Sequence, residues 1–181
     1  MEIKLYLADL AAYNGGRLIG EWITLPVAEE YLNAVIARLG HDGQTDIAIH
    51  DYEAPFRIGE YDDISALNRL AEILDDCGED EAVLEIIVGN VSVSSAASLN
   101  EWVDEVERVL DDSEYTIYWD CQDMGDVAAE VVENSGLLDG VDDTVCRYFD
   151  YDAYGRDLEI EGTFIKGYAS GLRPFYVGMH Q

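Results

Sequence analysis

The net charge of this chain limits what it can fold into and what it can bind. Its 181 residues include 39 Asp or Glu against 10 Lys or Arg, a formal net charge of −29 at pH 7. A charge of this size destabilises a compact state by self-repulsion and disfavours contact with nucleic acid or anionic membranes. Because 49% of the residues are hydrophobic, the chain still has the material for a core. We therefore predict a folded acidic protein that binds neither nucleic acid nor membranes.

The same charge suggests a partner whose surface accommodates many negative charges. Duplex DNA carries one negative charge per roughly 1.7 Å of its axis, so a net charge of −29 corresponds to roughly 50 Å of duplex. The first hypothesis is that the folded surface imitates DNA. On charge alone, an acidic binding module without mimicry, either halophilic or chaperone-like, is an equal alternative.

Cysteine and histidine usage argues against a disulfide framework and a zinc site. The three cysteines contain no CxxC pair and are odd in number, and the three histidines are isolated in the sequence. The first residues contain no secretory signal, which favours the cytoplasm. No phosphate-binding loop, GxSxG, GxGxxG or HExxH motif is present, so we predict no enzymatic activity and no cofactor. The residues concerned are Cys77, Cys121, Cys146, His41, His50 and His180.

One acidic segment leaves calcium binding open as a further alternative. Asp150, Asp152, Gly155 and Glu161 occupy positions 1, 3, 6 and 12 of an EF-hand-like loop. Position 5 is Tyr154 instead of Asp or Asn, which departs from the calcium-binding pattern.

Hydrophobic periodicity predicts an α+β protein made of three small domains. The predicted domains are an N-terminal α+β domain at residues 1–61, a helical domain at 62–114 and a C-terminal α+β domain at 115–181. Strands are predicted at residues 3–7, 18–25, 47–51, 115–119, 159–165 and 174–178. Helices are predicted at residues 28–39, 62–74, 79–88, 99–110, 123–134 and 141–149. Capping signals mark several of their ends: Asp62 or Asp63 and Asp123 at N-termini, a capping box from Ser98 to Glu101, and Gly40 and Gly136 at C-termini.

The middle third carries the densest negative charge. It holds 16 acidic and 2 basic residues, a net of −14, against −6 in residues 1–61 and −9 in residues 115–181. Acidic side chains lie off the apolar stripes of the predicted helices, at spacings that bring like charges together and cost a few tenths of a kcal/mol per pair. The carboxylates predicted to imitate phosphates are Asp62, Asp63, Glu72, Asp75, Asp76, Glu101, Asp104, Glu105, Asp111, Asp112, Asp126, Glu130 and Glu133.

Arginine supplies eight of the ten basic side chains. Because arginine forms bidentate pairs with carboxylates, it can hold acidic elements together. Arg57, Arg69, Arg147 and Arg156 are interpreted as internal ties, with solvated side chains as the equal alternative.

The strand predicted at 115–119 carries apolar or aromatic residues on both faces. Tyr115, Ile117 and Trp119 share one face, and Tyr118 lies on the other. Such a strand either covers its own core with both faces or presents one face to a partner.

Several segments resemble the ArdA family of antirestriction proteins, in matching order along nearly the whole chain. AIHDYE and AYGRDL are specific in combination. The matching segments are residues 48–53 (AIHDYE), 55–56 (PF), 67–70 (LNRL), 120–121 (DC), 123–124 (DM), 126–128 (DVA), 149–151 (FDY), 153–158 (AYGRDL) and 162–164 (GTF).

The resemblance implies an elongated, three-domain homodimer that mimics bent B-form DNA. Proteins of this family occupy the DNA-binding groove of type I restriction-modification enzymes, especially the methyltransferase core, and so protect incoming mobile elements. The resemblance also favours a dimer contact in the C-terminal domain, at Tyr115, Ile117, Tyr118 and Trp119.

Overall fold

The computed structural model describes residues 1–40, 46–94 and 97–180, and these form six strands, eight α-helices and one short 3₁₀ helix. His41 lies outside the described residues. The strands are β1 (Ile3–Asp9), β2 (Gly20–Leu25), β3 (Ile47–Glu53), β4 (Tyr115–Trp119), β5 (Thr163–Ala169) and β6 (Arg173–Met179). The helices are α1 (Leu10–Asn14), α2 (Glu29–Leu39), α3 (Ile64–Asp76), α4 (Glu81–Asn90), α5 (Leu99–Asp111), α6 (Met124–Ser135), α7 (Asp143–Arg147) and α8 (Tyr151–Glu161).

Two antiparallel three-stranded sheets, with strand orders β2-β1-β3 and β4-β6-β5, confirm the predicted α+β class. The described chain divides into two compact units. The first contains Met1–Glu79 and Val88–Arg108, and the second contains Asp80–Ile87 and Val109–Gln181. The division into three domains and the elongated shape stay predictions.

The first unit is built on the sheet of β1, β2 and β3. Ile3, Leu5 and Leu7 alternate along β1 and are fully buried, as their spacing predicts. Arg38 of α2 forms an ion pair with Glu21 of β2. Helix α2 therefore lies on the side of the sheet where these three side chains are buried. Burial of these apolar side chains is the main force that holds the unit together.

Helix α3 is fixed to the loop after β2 by the buried side chain of Asn68. Its Oδ1 accepts a hydrogen bond from the N–H of Val27 at 2.8 Å, and its Nδ2 donates to the carbonyl of Val27 at 3.0 Å. Both backbone groups are thereby satisfied away from water, where an unpaired group costs about 1–3 kcal/mol. Asn68 belongs to the LNRL segment, so this part of the resemblance corresponds to a structural contact.

The second unit is built on the sheet of β4, β5 and β6. Tyr118 and Tyr176 form a buried cluster with Cys121 and Val127, against which residues of α6 and β5 pack. On the other face, Phe175 is fully buried and lies 5.1 Å from the ring of Trp119, measured between centroids. Side chains therefore cover both faces of this sheet at its centre.

Helices α6 and α8 approach each other at the level of the backbone. A Cβ atom on Gly155 of α8 would lie 2.6 Å from the carbonyl carbon of Met124 and 3.0 Å from the nitrogen of Gly125. Only glycine fits at this crossing, which explains the glycine of the AYGRDL segment physically.

The helix boundaries follow the predicted capping signals closely. The carboxylates of Asp63 and Asp123 cap α3 and α6, and Gly136 ends α6 in the left-handed conformation. Ser98 and Glu101 form a reciprocal capping box, with the N–H of Ser98 donating to Glu101 at 2.6 Å. These local predictions are confirmed.

Two interpretations of residues 150–165 are wrong. The segment predicted as a strand at 159–165 begins as helix, because α8 continues to Glu161 and β5 starts only at Thr163. The EF-hand-like alternative fails for the same reason: Asp150 caps α8, and the other three proposed ligand-loop positions lie within that helix.

Helix α1 was not predicted from the sequence. It is capped by Asp9, whose Oδ1 accepts the N–H of Ala12 at 3.1 Å. Five residues are too few for a hydrophobic periodicity to emerge. Of the helices in the described ranges, none combines the length and the apolar character that crossing a membrane requires.

Candidate partner-binding surface

All thirteen carboxylates predicted to imitate phosphates lie at least partly at the surface. Ten are exposed and three, Asp62, Glu105 and Glu130, are half-buried. The first unit contains Asp62, Asp63, Glu72, Asp75, Asp76, Glu101, Asp104 and Glu105, and the second contains Asp111, Asp112, Asp126, Glu130 and Glu133. Their internal contacts divide them into groups with different capacities for binding.

Some of these carboxylates hold the N-termini of helices. Asp63 accepts the N–H groups of Ser65 and Ala66 at the start of α3. The hydrogen bonds that Ser98 donates lower the pKa of Glu101, which favours its charged form. The partial positive charge of a helix N-terminus further stabilises both carboxylates. Their first role is therefore structural.

A second group is paired with arginine. Arg69 of α3 donates to Asp104 at 2.6 Å and also to Glu107, so one guanidinium joins α3 to α5. Arg108 pairs with Glu105 within α5 at 2.7 Å and lowers the pKa of that carboxyl. Pairing reduces the negative charge that these groups can offer to a partner.

The predicted arginine ties are confirmed only for Arg69. Within the described ranges, Arg57, Arg147 and Arg156 are exposed and form no ion pair. Sequence reasoning missed the bidentate pair in which Arg173 donates to Asp120 at 2.8 and 2.6 Å. The two residues are 53 positions apart, and only the register of β4 on β6 brings them together.

Backbone and side-chain donors engage three more of the predicted carboxylates in well-formed hydrogen bonds. Asp62 accepts from the N–H of Gly59 at 2.7 Å, Glu72 from Nδ2 of Asn68 at 3.0 Å, and Asp126 from the N–H of Gln122 at 2.7 Å. In each case the hydrogen bond fixes the position of the carboxylate. Fixed charges need less ordering when a partner binds.

Glu130 lies beside the buried thiol of Cys121, with 3.5 Å between Oε1 and Sγ. Burial, followed by the charge of Glu130, raises the pKa of Cys121 to about 12. The thiol is thus protonated and unreactive near neutral pH. This arrangement is a core contact and not a nucleophilic site.

The remaining predicted carboxylates lie near helix C-termini. Asp75 and Asp76 occupy the last turn of α3, which contains no basic residue, and Glu133 lies near the end of α6, which also lacks one. Asp111 is the last residue of α5, and Asp112 follows it. Because a helix C-terminus carries partial negative charge, carboxylates there are destabilising.

The strand predicted as a dimer contact, β4, lies at an edge of its sheet in the described residues. Tyr118 is only 8% exposed and belongs to the core of the second unit. Tyr115, Ile117 and Trp119 are half-buried, and the guanidinium of Arg173 stacks 4.6 Å from the ring of Trp119. The side chain of Tyr118 therefore packs in the core of the second unit, and the outer backbone edge of β4 faces away from β6.

Comparison with known protein families gives a match over most of the chain. The family model described as antirestriction protein (ArdA) matches residues 5–170 of this chain. A search of curated proteins finds no match.

Proposed function

Because the chain belongs to the ArdA family of antirestriction proteins, we propose that it mimics B-form DNA and occupies the DNA-binding groove of type I restriction-modification enzymes. Family membership gives it an antirestriction function directed at restriction-modification enzymes. The methyltransferase core, which holds DNA in these enzymes, is the proposed contact. The observation that carries the proposal is the net charge of −29 together with thirteen accessible carboxylates on a folded scaffold.

The proposed mechanism is competition and needs neither a catalytic residue nor a cofactor. A groove lined with Lys and Arg gains affinity for DNA by neutralising phosphates and releasing counterions. Carboxylates on a folded surface engage the same cations. Bending DNA into such a groove costs on the order of 1–6 kcal/mol, whereas a folded protein already has its shape.

Contacts within the protein suggest which carboxylates contribute most to binding. Asp63 and Glu101 stabilise helices, and Asp104 and Glu105 are neutralised by arginine. By contrast, Asp75 and Asp76 destabilise the helix they end. We infer that the carboxylates at helix C-termini contribute most to binding the partner.

Competition with DNA tests the proposed target. The protein is expected to displace duplex DNA from a purified type I methyltransferase at about 0.05–0.1 M salt. The effect should fall steeply toward about 0.5 M salt, where screening weakens exposed charge pairs. Binding is measured by fluorescence anisotropy of labelled DNA, with polyglutamate of matched net charge as the control.

Polyglutamate is expected to compete far less, because it lacks the fixed arrangement of charges. Equal competition by polyglutamate would favour an acidic module without mimicry. Tight binding of the protein itself to DNA, or no competition at low salt, would contradict the proposal.

We further propose that the protein forms a homodimer through the open edge of β4. The N–H of His180 donates to the carbonyl of Glu114, and the N–H of Asp120 donates to the carbonyl of Pro174. In an antiparallel pair, alternate residues bond to the neighbouring strand, so the backbone of Ile117 points away from β6. Such an edge can pair with the same edge of a second copy about a twofold axis.

Replacing Ile117 with proline tests this interface. Proline removes the outward N–H and is tolerated at strand edges, so we expect folded monomers in sedimentation equilibrium at micromolar concentration. Ile117→Val keeps the N–H and is expected to remain dimeric. A Tyr118→Lys variant would be less informative, because it charges the core of the second unit. A dimeric Ile117→Pro variant would place the interface elsewhere.

A further inference from the structure

The face of the first sheet opposite α2 carries an aromatic pair, in which Trp22 is exposed and Tyr6 is half-buried. Because Glu21 contacts Arg38 of α2, its neighbour Trp22 points to the other side of β2. The side chain of Trp22 is 47% exposed. The ring of Tyr6, on β1, lies beside it with 5.5 Å between centroids and an angle of 51° between planes.

Gly20 makes room for this arrangement. A Cβ atom at this position would lie 2.9 Å from Cζ and 3.0 Å from the hydroxyl oxygen of Tyr6. The Tyr6 ring therefore lies over the backbone of β2 next to Trp22. The two rings form one aromatic surface on the sheet, which we call the Tyr6–Trp22 face.

Carboxylates border the Tyr6–Trp22 face along β3. Asp51 is the register partner of Tyr6, and Glu53 is the partner of Lys4. The ammonium of Lys4 is already held by Glu53 at 2.9 Å and Glu2 at 3.0 Å. Asp51 is exposed, and no cation of the described ranges pairs with it. The border of the face is thus negatively charged.

We propose that the Tyr6–Trp22 face binds an arginine-containing segment of the restriction-modification enzyme, an inference that rests on the function proposed above. A guanidinium can stack on the Trp22 indole, and the negative charge of Asp51, on the far side of β1, attracts it electrostatically. The carboxylates repel phosphates, and a purely apolar partner would bury them without compensation. An arginine side chain satisfies both the aromatic surface and its charged border.

Substitution of Trp22 tests the inference in the same competition assay. Trp22→Thr keeps a residue suited to a strand and is expected to weaken binding to the methyltransferase roughly tenfold, the effect of one partly desolvated cation–π contact. The control is Tyr61→Thr, which removes a 74% exposed aromatic ring from the same unit and should change binding less than twofold. Circular dichroism checks that both variants fold, and Asp51→Asn provides a second variant that conserves size.

The outcomes separate this inference from the proposed function. If the unchanged protein does not compete with DNA, the proposed function fails. If it competes and both Trp22→Thr and Asp51→Asn match it, the Tyr6–Trp22 face does not contact the enzyme. Loss of the dimer in Trp22→Thr would instead identify a second copy as the occupant and overturn the inference.

A spectroscopic experiment supplies a readout that does not depend on the enzyme. Each tryptophan gives one indole N–H resonance, and the spectrum of Trp22→Thr assigns the resonance of Trp22. Titration with a hexa-arginine peptide at low salt should shift this resonance saturably, and more than a hexa-lysine peptide does. Equal shifts at Trp22, Trp102 and Trp119, or no preference for arginine, would overturn the inference.

Discussion

Reversing the two carboxylates at the end of α3, in an Asp75→Lys/Asp76→Lys variant, is expected to weaken inhibition and to stabilise the fold. Both side chains are exposed, and the last turn of α3 has no basic residue. Reversal replaces attraction to groove cations by repulsion, which we expect to weaken competition roughly 10- to 100-fold. Removal of anions from a helix C-terminus, and addition of cations, should stabilise folding by about 1–2 kcal/mol.

A matched reversal at the start of α2 separates position from net charge. Glu29 and Glu30 are exposed in the first turn of α2, where negative charge is stabilising. Glu29→Lys/Glu30→Lys changes the net charge by the same amount. It should lower stability and affect inhibition less than the change at the end of α3. Chemical unfolding and the DNA competition assay measure the two quantities.

The critical result is that the two double variants change the stability of the fold in opposite directions. If both double variants weaken inhibition equally, only the total charge matters and the acids at helix C-termini have no special role. If Asp75→Lys/Asp76→Lys loses stability, the macrodipole argument for these residues is wrong.

Local structure was largely predictable from this sequence because its signals act over a few residues. The caps at Asp63 and Asp123, and the capping box of Ser98 and Glu101, depend only on neighbouring backbone groups. Strand alternation likewise predicted the buried face of β1. The error at residues 159–165 arose because Glu159, Ile160 and Glu161 alternate in polarity, although α8 continues through them.

The properties of individual carboxylates could not be predicted in the same way. Whether an acidic side chain is available to a partner depends on which cation the fold brings near it. Arg69 reaches Asp104 across 35 positions, and Arg173 reaches Asp120 across 53. A variant that reverses Asp104 and Glu105 would therefore also break internal ion pairs, which makes Asp75 and Asp76 the clearer test.

The largest effect on stability is expected at Gly155. In a Gly155→Ala variant, the new Cβ atom would lie within 2.6 Å of the carbonyl carbon of Met124, so α6 and α8 must separate. Overpacking of this kind typically costs about 1–3 kcal/mol and more where backbone must move. We expect a loss of about 3 kcal/mol in the free energy of unfolding, measured by urea titration followed by circular dichroism.

Gly89 provides the control for this substitution, because it is also a glycine within a helix. Apart from the backbone of its own helix, no atom of the described residues lies within 4 Å of a Cβ placed there, so Gly89→Ala should only reduce the entropy of the unfolded chain. It is expected to stabilise the protein by about 0.5–1 kcal/mol, the opposite sign for the same chemical change. If Gly155→Ala is as stable as the unchanged protein, α6 and α8 do not pack backbone to backbone. The glycine of the AYGRDL segment would then need an explanation in partner binding.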